Sequence, residues 1–172
     1  KAATEAGMAA EDVRLPAETS QAELISRVKE LNQDGQIHGV LVQLPLPSHL
    51  EGDPVIDSLD PTKDVDGLHP ENVGLLVAGR HRFVPATPAG IQQMLIRSGY
   101  DPDGKHVVVC GRSMIVGKPV ANLMMQKLSG ANTTVTMCHT ATGDLASITS
   151  QADILIAAMG RPRTITADMV KE

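Results

Sequence analysis

Four apolar residues, Val107-Val108-Val109-Cys110, run directly into Gly111-Arg112-Ser113-Met114-Ile115-Val116-Gly117-Lys118-Pro119. A strand apolar at successive positions is buried on both faces, which is the mark of a parallel sheet covered by helices. Parallel strands need a crossover between them, so this chain is committed to alternating β and α elements. The pattern continues on that plan: strands over 106–110, 133–138 and 154–159, with helices over 119–128 and 144–150. That is the first half of a doubly wound sheet. At the turn, Gly111 permits the tight bend and Gly117 lets the helix approach its strand closely. Free N–H groups and the helix dipole there favour an anion such as a nucleotide phosphate. The spacing departs from G-x-G-x-x-G: Ser113 stands where the second glycine would be, and Gly117 comes one residue late. Ser113 denies the closest backbone approach and offers a hydroxyl instead. An ordinary βα turn that binds nothing is the competing reading.

The end of the next strand bears on which nucleotide such a turn would hold. A site for NAD places an acid there to accept from the ribose 2′-hydroxyl, whereas NADP needs a basic or neutral donor. Here the strand runs into Cys138-His139-Thr140-Ala141-Thr142, with no acid before Asp144. Arg112 can face a 2′-phosphate, and His139 and Thr140 can donate to it, so the expected cofactor is NADP. By itself His139 also reads as a surface residue at a strand end.

The first half carries fewer signals. Lys1 to Ala6 reads as the end of a helix stopped by Gly7. Val13-Arg14-Leu15 is a short strand candidate. Ser20 and Glu23 form a capping box ahead of Leu24, Val28 and Leu31, and Asp34-Gly35 ends that helix. Ile37 to Leu44 reads as a strand buried on both faces, which completes a βαβ unit. A short helix follows over 53–59, and Thr87-Pro88 reads as N-cap and first residue of a helix running to Gly99. A domain boundary near Pro85 divides residues 1–86 from 100–172, with the helix over 87–99 as the connector.

Two polar positions stand out in this half. Gln43 ends the run Val40-Leu41-Val42, where it either caps backbone groups or points into the crevice at the carboxyl ends of strands. In Lys63-Asp64-Val65-Asp66-Gly67, Asp64 reads as a turn former, while Asp66, beside the glycine, is the better ligand contact.

Composition excludes more than it assigns. A net charge of −5 with no basic run argues against a nucleic-acid surface. No apolar segment approaches a membrane span. Two separated cysteines, Cys110 and Cys138, and six histidines show no metal spacing. The cysteines fit buried thiols in a reducing compartment. With Phe83 and Tyr100 as the only aromatic residues, the core must be aliphatic, with methionine filling gaps.

Taken together the segments resemble one family, the bifunctional methylenetetrahydrofolate dehydrogenase/cyclohydrolases. The matching stretches are Val42-Gln43-Leu44-Pro45-Leu46-Pro47, Lys63-Asp64-Val65-Asp66-Gly67-Leu68-His69-Pro70, Pro85-Ala86-Thr87-Pro88-Ala89-Gly90 and Gly111-Arg112-Ser113 through Gly117-Lys118-Pro119. Thr134-Val135-Thr136-Met137-Cys138-His139 and Ala152-Asp153-Ile154 continue the match. The resemblance implies an α/β fold in two parts, both incomplete here: a three-layer folate-binding domain and a Rossmann-like NADP domain. It implies oxidation of 5,10-methylenetetrahydrofolate by NADP, then hydrolysis of the methenyl product to 10-formyltetrahydrofolate. A dehydrogenase without the hydrolase step and a non-catalytic NADP-binding protein are the alternatives.

Carried over by position, Gln43 matches a glutamine that tunes a catalytic lysine, and Asp66 matches an aspartate that holds the pterin ring. Gly111, Arg112, Ser113, Ile115, Val116, Gly117, His139 and Thr140 fall at cofactor positions. The catalytic lysine itself is expected upstream of Lys1, so Lys1 is not that catalyst, and these residues alone are expected to be inactive. The resemblance further implies a cytoplasmic homodimer of one-carbon metabolism and purine biosynthesis, with no metal, nucleic-acid or membrane partner.

Overall fold

The computed structural model describes residues 2–171. From the N-terminus come α1 (Ala2–Glu5), α2 (Gln21–Gln33), α3 (Gly52–Asp57), α4 (Pro70–Val77) and α5 (Ala86–Arg97). Strand β1 (His106–Cys110) leads through α6 (Gly117–Met124) to β2 (Thr134–Cys138). Then α7 (Leu145–Thr149) leads to β3 (Ile154–Ala157), and a 3-10 turn covers Ala167–Met169.

The three strands form one parallel sheet in the order β2-β1-β3. Val108 lies opposite Thr136 on one side and Leu155 on the other. Central β1 is sealed on both faces, with Val107, Val108 and Val109 fully buried. Val107 and Val109 pack with Val120, Ala121 and Met124 of α6, and with Ile91 and Leu95 of α5. Val108 and Cys110 face the other way, onto Cys138, Ala152, Leu145 and Ile148. The α/β class and parallel sheet expected from the apolar run are therefore present, and a helix covers each face.

Residues 24–68 build a separate aliphatic cluster around Val28, Val40, Val55, Ile56, Leu59 and Leu68. Helix α2 enters it through the expected capping box: Ser20 Oγ accepts from the Glu23 N–H, and Glu23 returns a carboxylate to the Ser20 N–H. Gly7 ends α1 in the left-handed region at φ 75°.

Two strand expectations are corrected. Val13–Leu15 is exposed and forms no element. Ile37–Leu44 is not a strand buried on both faces: Val40 is buried but Leu41 is 55% exposed. Its pairing amounts to one parallel bridge from Val40 to Asp64, with the Val40 N–H donating to Lys63 O at 2.7 Å. An apolar run becomes a strand only where another backbone supplies partners along its length, and among the described residues only Lys63-Asp64 comes alongside.

Element ends also differ. The helix expected from Thr87 begins at Ala86 with Pro85 as N-cap, and Thr87 makes no side-chain cap. Pro88 is harmless in that first turn, where N–H groups have no intrahelical acceptor. Helix α6 runs 117–124 rather than 119–128. It stops because the carbonyls of Met124 and Gln126 are taken by the N–H groups of Thr133 and Asn132, which turn the chain toward β2. Strand β3 ends at Ala157, not 159, because its partner β1 ends at Cys110. Helix α4 has no counterpart in the sequence analysis, although Pro70 at its first turn and Glu71 beside it are start signals.

Candidate functional site

The turn after β1 is built around two positions that only glycine can fill. Gly111 sits at φ 131°, and a Cβ there would strike the Ala158 carbonyl at the end of β3. A Cβ on Gly117 would strike the Gly111 carbonyl and the Arg112 nitrogen. Gly117 therefore lets the turn close on itself, in addition to starting α6.

Ser113 holds the turn from inside. Its Oγ accepts from the Val116 N–H at 3.2 Å and the Gly117 N–H at 3.4 Å, and its carbonyl accepts from the Lys118 N–H. A hydroxyl that accepts twice still has its proton to give. The N–H groups of Arg112, Ser113, Met114 and Ile115 have no partner among the described residues. Arg112 is exposed and makes no ion pair among them. The result is a cluster of unspent donors and one positive charge around a cradle that a side chain would fill, which is chemistry suited to a phosphate.

The sheet register brings the segment after β2, expected to meet the cofactor, to the same edge. Cys110 lies opposite Cys138, and the Gly111 N–H donates to Cys138 O at 2.8 Å. Arg112 and His139 therefore leave adjacent strands side by side. The segment Cys138–Thr142 is pinned by its own bonds, with the His139 N–H donating to Thr142 Oγ1 and the Thr142 N–H to His139 O. His139 Nδ1 accepts from the Ala141 N–H at 3.2 Å, which places the ring proton on Nε2 as a donor. Thr140 is exposed beside it. Beneath this edge the thiols of Cys110 and Cys138 are buried. Burial, then the neighbouring Cys138, pushes Cys110 up to about 11, so it stays a protonated packing group.

The first-half residues are held differently. Gln43 is exposed, and its amide donates to Leu44 O at 3.1 Å. Asp64 is buried and structural: it accepts from the His69 N–H at 2.8 Å and from Asn72 Nδ2 at 2.9 Å. Asp66 is half-buried with no such partners among the described residues, and burial, reinforced by Asp64, raises its carboxyl. Gly67 at φ 64° lies against the Phe83 carbonyl, so Asp66 sits on a bend only glycine permits. Lys63, silent in the sequence analysis, donates to the carbonyls of Leu31, Asn32 and Asp34 and so caps the end of α2. Among the described residues no hydrogen bond joins Gln43 or Asp66 to the glycine turn.

A parallel sheet whose central strand breaks into a tight, donor-rich glycine turn defines a nucleotide-binding α/β protein. The sequence profile of the tetrahydrofolate dehydrogenase/cyclohydrolase NAD(P)-binding domain matches residues 85–172, and that of the catalytic domain matches residues 1–66. The chain belongs to the tetrahydrofolate dehydrogenase/cyclohydrolase family. It is 57% identical over 157 residues to the bifunctional protein FolD of Syntrophus aciditrophicus, covering 91% of this chain and 54% of that one. The bifunctional FolD methylenetetrahydrofolate dehydrogenase/cyclohydrolase of Campylobacter jejuni superposes with a TM-score of 0.92 at 41% identity, over 99% of this chain and 60% of its own. The NADP- and inhibitor-bound methylenetetrahydrofolate dehydrogenase-cyclohydrolase of Trypanosoma brucei does so with a TM-score of 0.89 at 37% identity, over 99% and 57%. The chain thus spans a little over half the length of the relatives it matches.

Proposed function

We propose that the protein carrying this chain oxidises 5,10-methylenetetrahydrofolate with NADP and hydrolyses the resulting 5,10-methenyl cation to 10-formyltetrahydrofolate. The observation that carries this reading is the acid-free, donor-rich edge formed by Gly111–Gly117 and His139-Thr140 in a chain of this family. When bound, NADP supplies a hydride acceptor. Arg112, with His139 Nε2 and Thr140, would hold the 2′-phosphate, and Ser113 with the free turn N–H groups would hold the pyrophosphate. Ile115 and Val116 complete the turn's outer rim, and Gly111 and Gly117 give the turn its shape.

Asp66 would hold the pterin ring, its raised carboxyl being suited to sharing a proton with a ring amide. The dehydrogenase step asks only for alignment of the reacting carbon with the hydride acceptor, and no protein base at carbon. The hydrolysis step needs a proton carrier, which we assign to a lysine upstream of Lys1 oriented by Gln43. We further infer two domains meeting near Pro85, a cytoplasmic setting, a homodimer and a place in one-carbon supply for purine biosynthesis, all from family membership.

The test is a pair of assays on the full-length protein: reduction of NADP with 5,10-methylenetetrahydrofolate, and loss of the methenyl compound above its spontaneous rate. Arg112→Ala should weaken NADP binding by about tenfold to a hundredfold, as expected for one charge-assisted contact, and leave NAD unchanged. An enzyme that prefers NAD before mutation contradicts the assignment.

A further inference from the structure

We propose that Gln126 is a positioning residue that sets the spacing between the folate-holding turn and the NADP turn; this rests on the function proposed above. Among the described residues, one side-chain hydrogen bond links the residues before Pro85 to those after it: Gln126 Nε2 donates to Leu76 O at 2.9 Å. The same amide donates to Asn122 O at 3.0 Å. Its oxygen lies 2.7 Å from where a Cβ on Gly79 would stand, so Gly79 keeps the amide's place open at φ 69°. Helices α4 and α6 pack together around this contact.

Each arm of the contact leads to one of the ligand segments. On the α4 side, Leu76 lies one helical turn after Asn72, on the same face. Asn72 is fully buried and donates to Pro61 O and to Asp64 Oδ2, whose other bond fixes the His69 N–H. Asp66 stands two residues beyond Asp64 on that same turn. Arg82 clamps the α4 start from outside, donating to Pro61 O and Asn72 Oδ1. On the α6 side, Asn122 Nδ2 donates to Lys118 O, and the Lys118 N–H donates to Ser113 O inside the glycine turn.

A continuous run of short bonds and helix backbone therefore connects the Asp66 turn to the cofactor turn, with Gln126 as the crossing. Helix α5, the covalent link, is anchored on the sheet through Gln92 to Gly130 O and through Ile91 and Leu95, and the Phe83 carbonyl just ahead of it lies against Gly67.

This role predicts a separation of the two activities. Hydride transfer needs both ligands in register, whereas hydrolysis of the methenyl compound uses the folate site without the cofactor. In the full-length protein, Gln126→Met should lower kcat of the dehydrogenase about tenfold, the scale of a sub-ångström misplacement. Dissociation constants for NADP and for the folate measured separately, and the hydrolase rate without NADP, should stay within about twofold, as for substitutions that touch neither ligand. Gly79→Ala, which pushes the same amide from the other side, should give the same split. Proportional loss of both activities in both variants, or no loss in either, overturns the inference while the functional reading stands. A wild-type protein without either activity overturns both.

Discussion

Asp66 and Asp64 are two residues apart and do opposite things. Asp64 is buried with its oxygen spent on the His69 N–H and Asn72, so its cost is met inside the fold. Asp66 is half-buried without that company, and desolvation followed by Asp64 raises its carboxyl. A folded-state pKa above the ordinary 3.8 means the ionised form is disfavoured by folding, a penalty absent in acid and fully present at neutral pH. Asp66→Asn should therefore leave the melting temperature at pH 7 unchanged or higher, while folate affinity falls by about tenfold or more, as for loss of a charged hydrogen bond. A melt alongside a folate titration checks both; a clear loss of stability would show Asp66 to be structural. The doublet Asp64-Val65-Asp66 was legible in the sequence as a turn with one free carboxylate. The partners of Asp64 were not, because Asn72 comes from a helix that the apolar periodicity does not announce.

At the scale of elements, the βα turn depends on contacts between its own two ends. Gly111 is pressed by the end of β3, and Gly117 by Gly111 itself. Gly117→Ala would force the start of α6 away from the strand, at a cost of about 1–3 kcal/mol for overpacking. It would also spread the donors that Ser113 holds together. Denaturant unfolding should register the first effect and calorimetric NADP titration the second. A variant of wild-type stability and NADP affinity would falsify the assignment of Gly117 to the turn's closure. The sequence announced the strand, turn and helix here because burial, glycine spacing and crossover all act within a dozen residues. It failed at Val13–Leu15 and Ile37–Leu44 because a strand is defined by its neighbours. Apolar content cannot say whether a neighbouring backbone is present along the whole run.

Across the whole molecule, the amino ends of the strands are tied to the chain that follows β3. Asp153 accepts from the His106 N–H at 3.0 Å and from Lys171 Nζ at 2.7 Å. The His106 N–H first, then Lys171, lower its carboxyl to about 2. Because that lies below the ordinary 3.8, the stabilisation is complete above 3.8 and disappears as pH falls through about 2. Asp153→Asn should therefore reduce stability at neutral pH, and the gap to wild type should close as pH drops across that window. Denaturant titrations from neutral pH into acid measure it; a gap that stays constant would place the effect in packing.

The sequence by itself determined the α/β class, the parallel sheet, the glycine turn and the capping box of α2. Each of these is written in local periodicity, in residues with special backbone needs, or in spacing within one crossover. The tertiary structure alone decided that Ile37–Leu44 pairs at a single bridge, that Lys63 caps α2, that Asp64 is buried against Asn72, and that Gln126 crosses to Leu76. Those are contacts between segments 8 to 50 residues apart, and no local pattern encodes which polar side chain will meet which carbonyl.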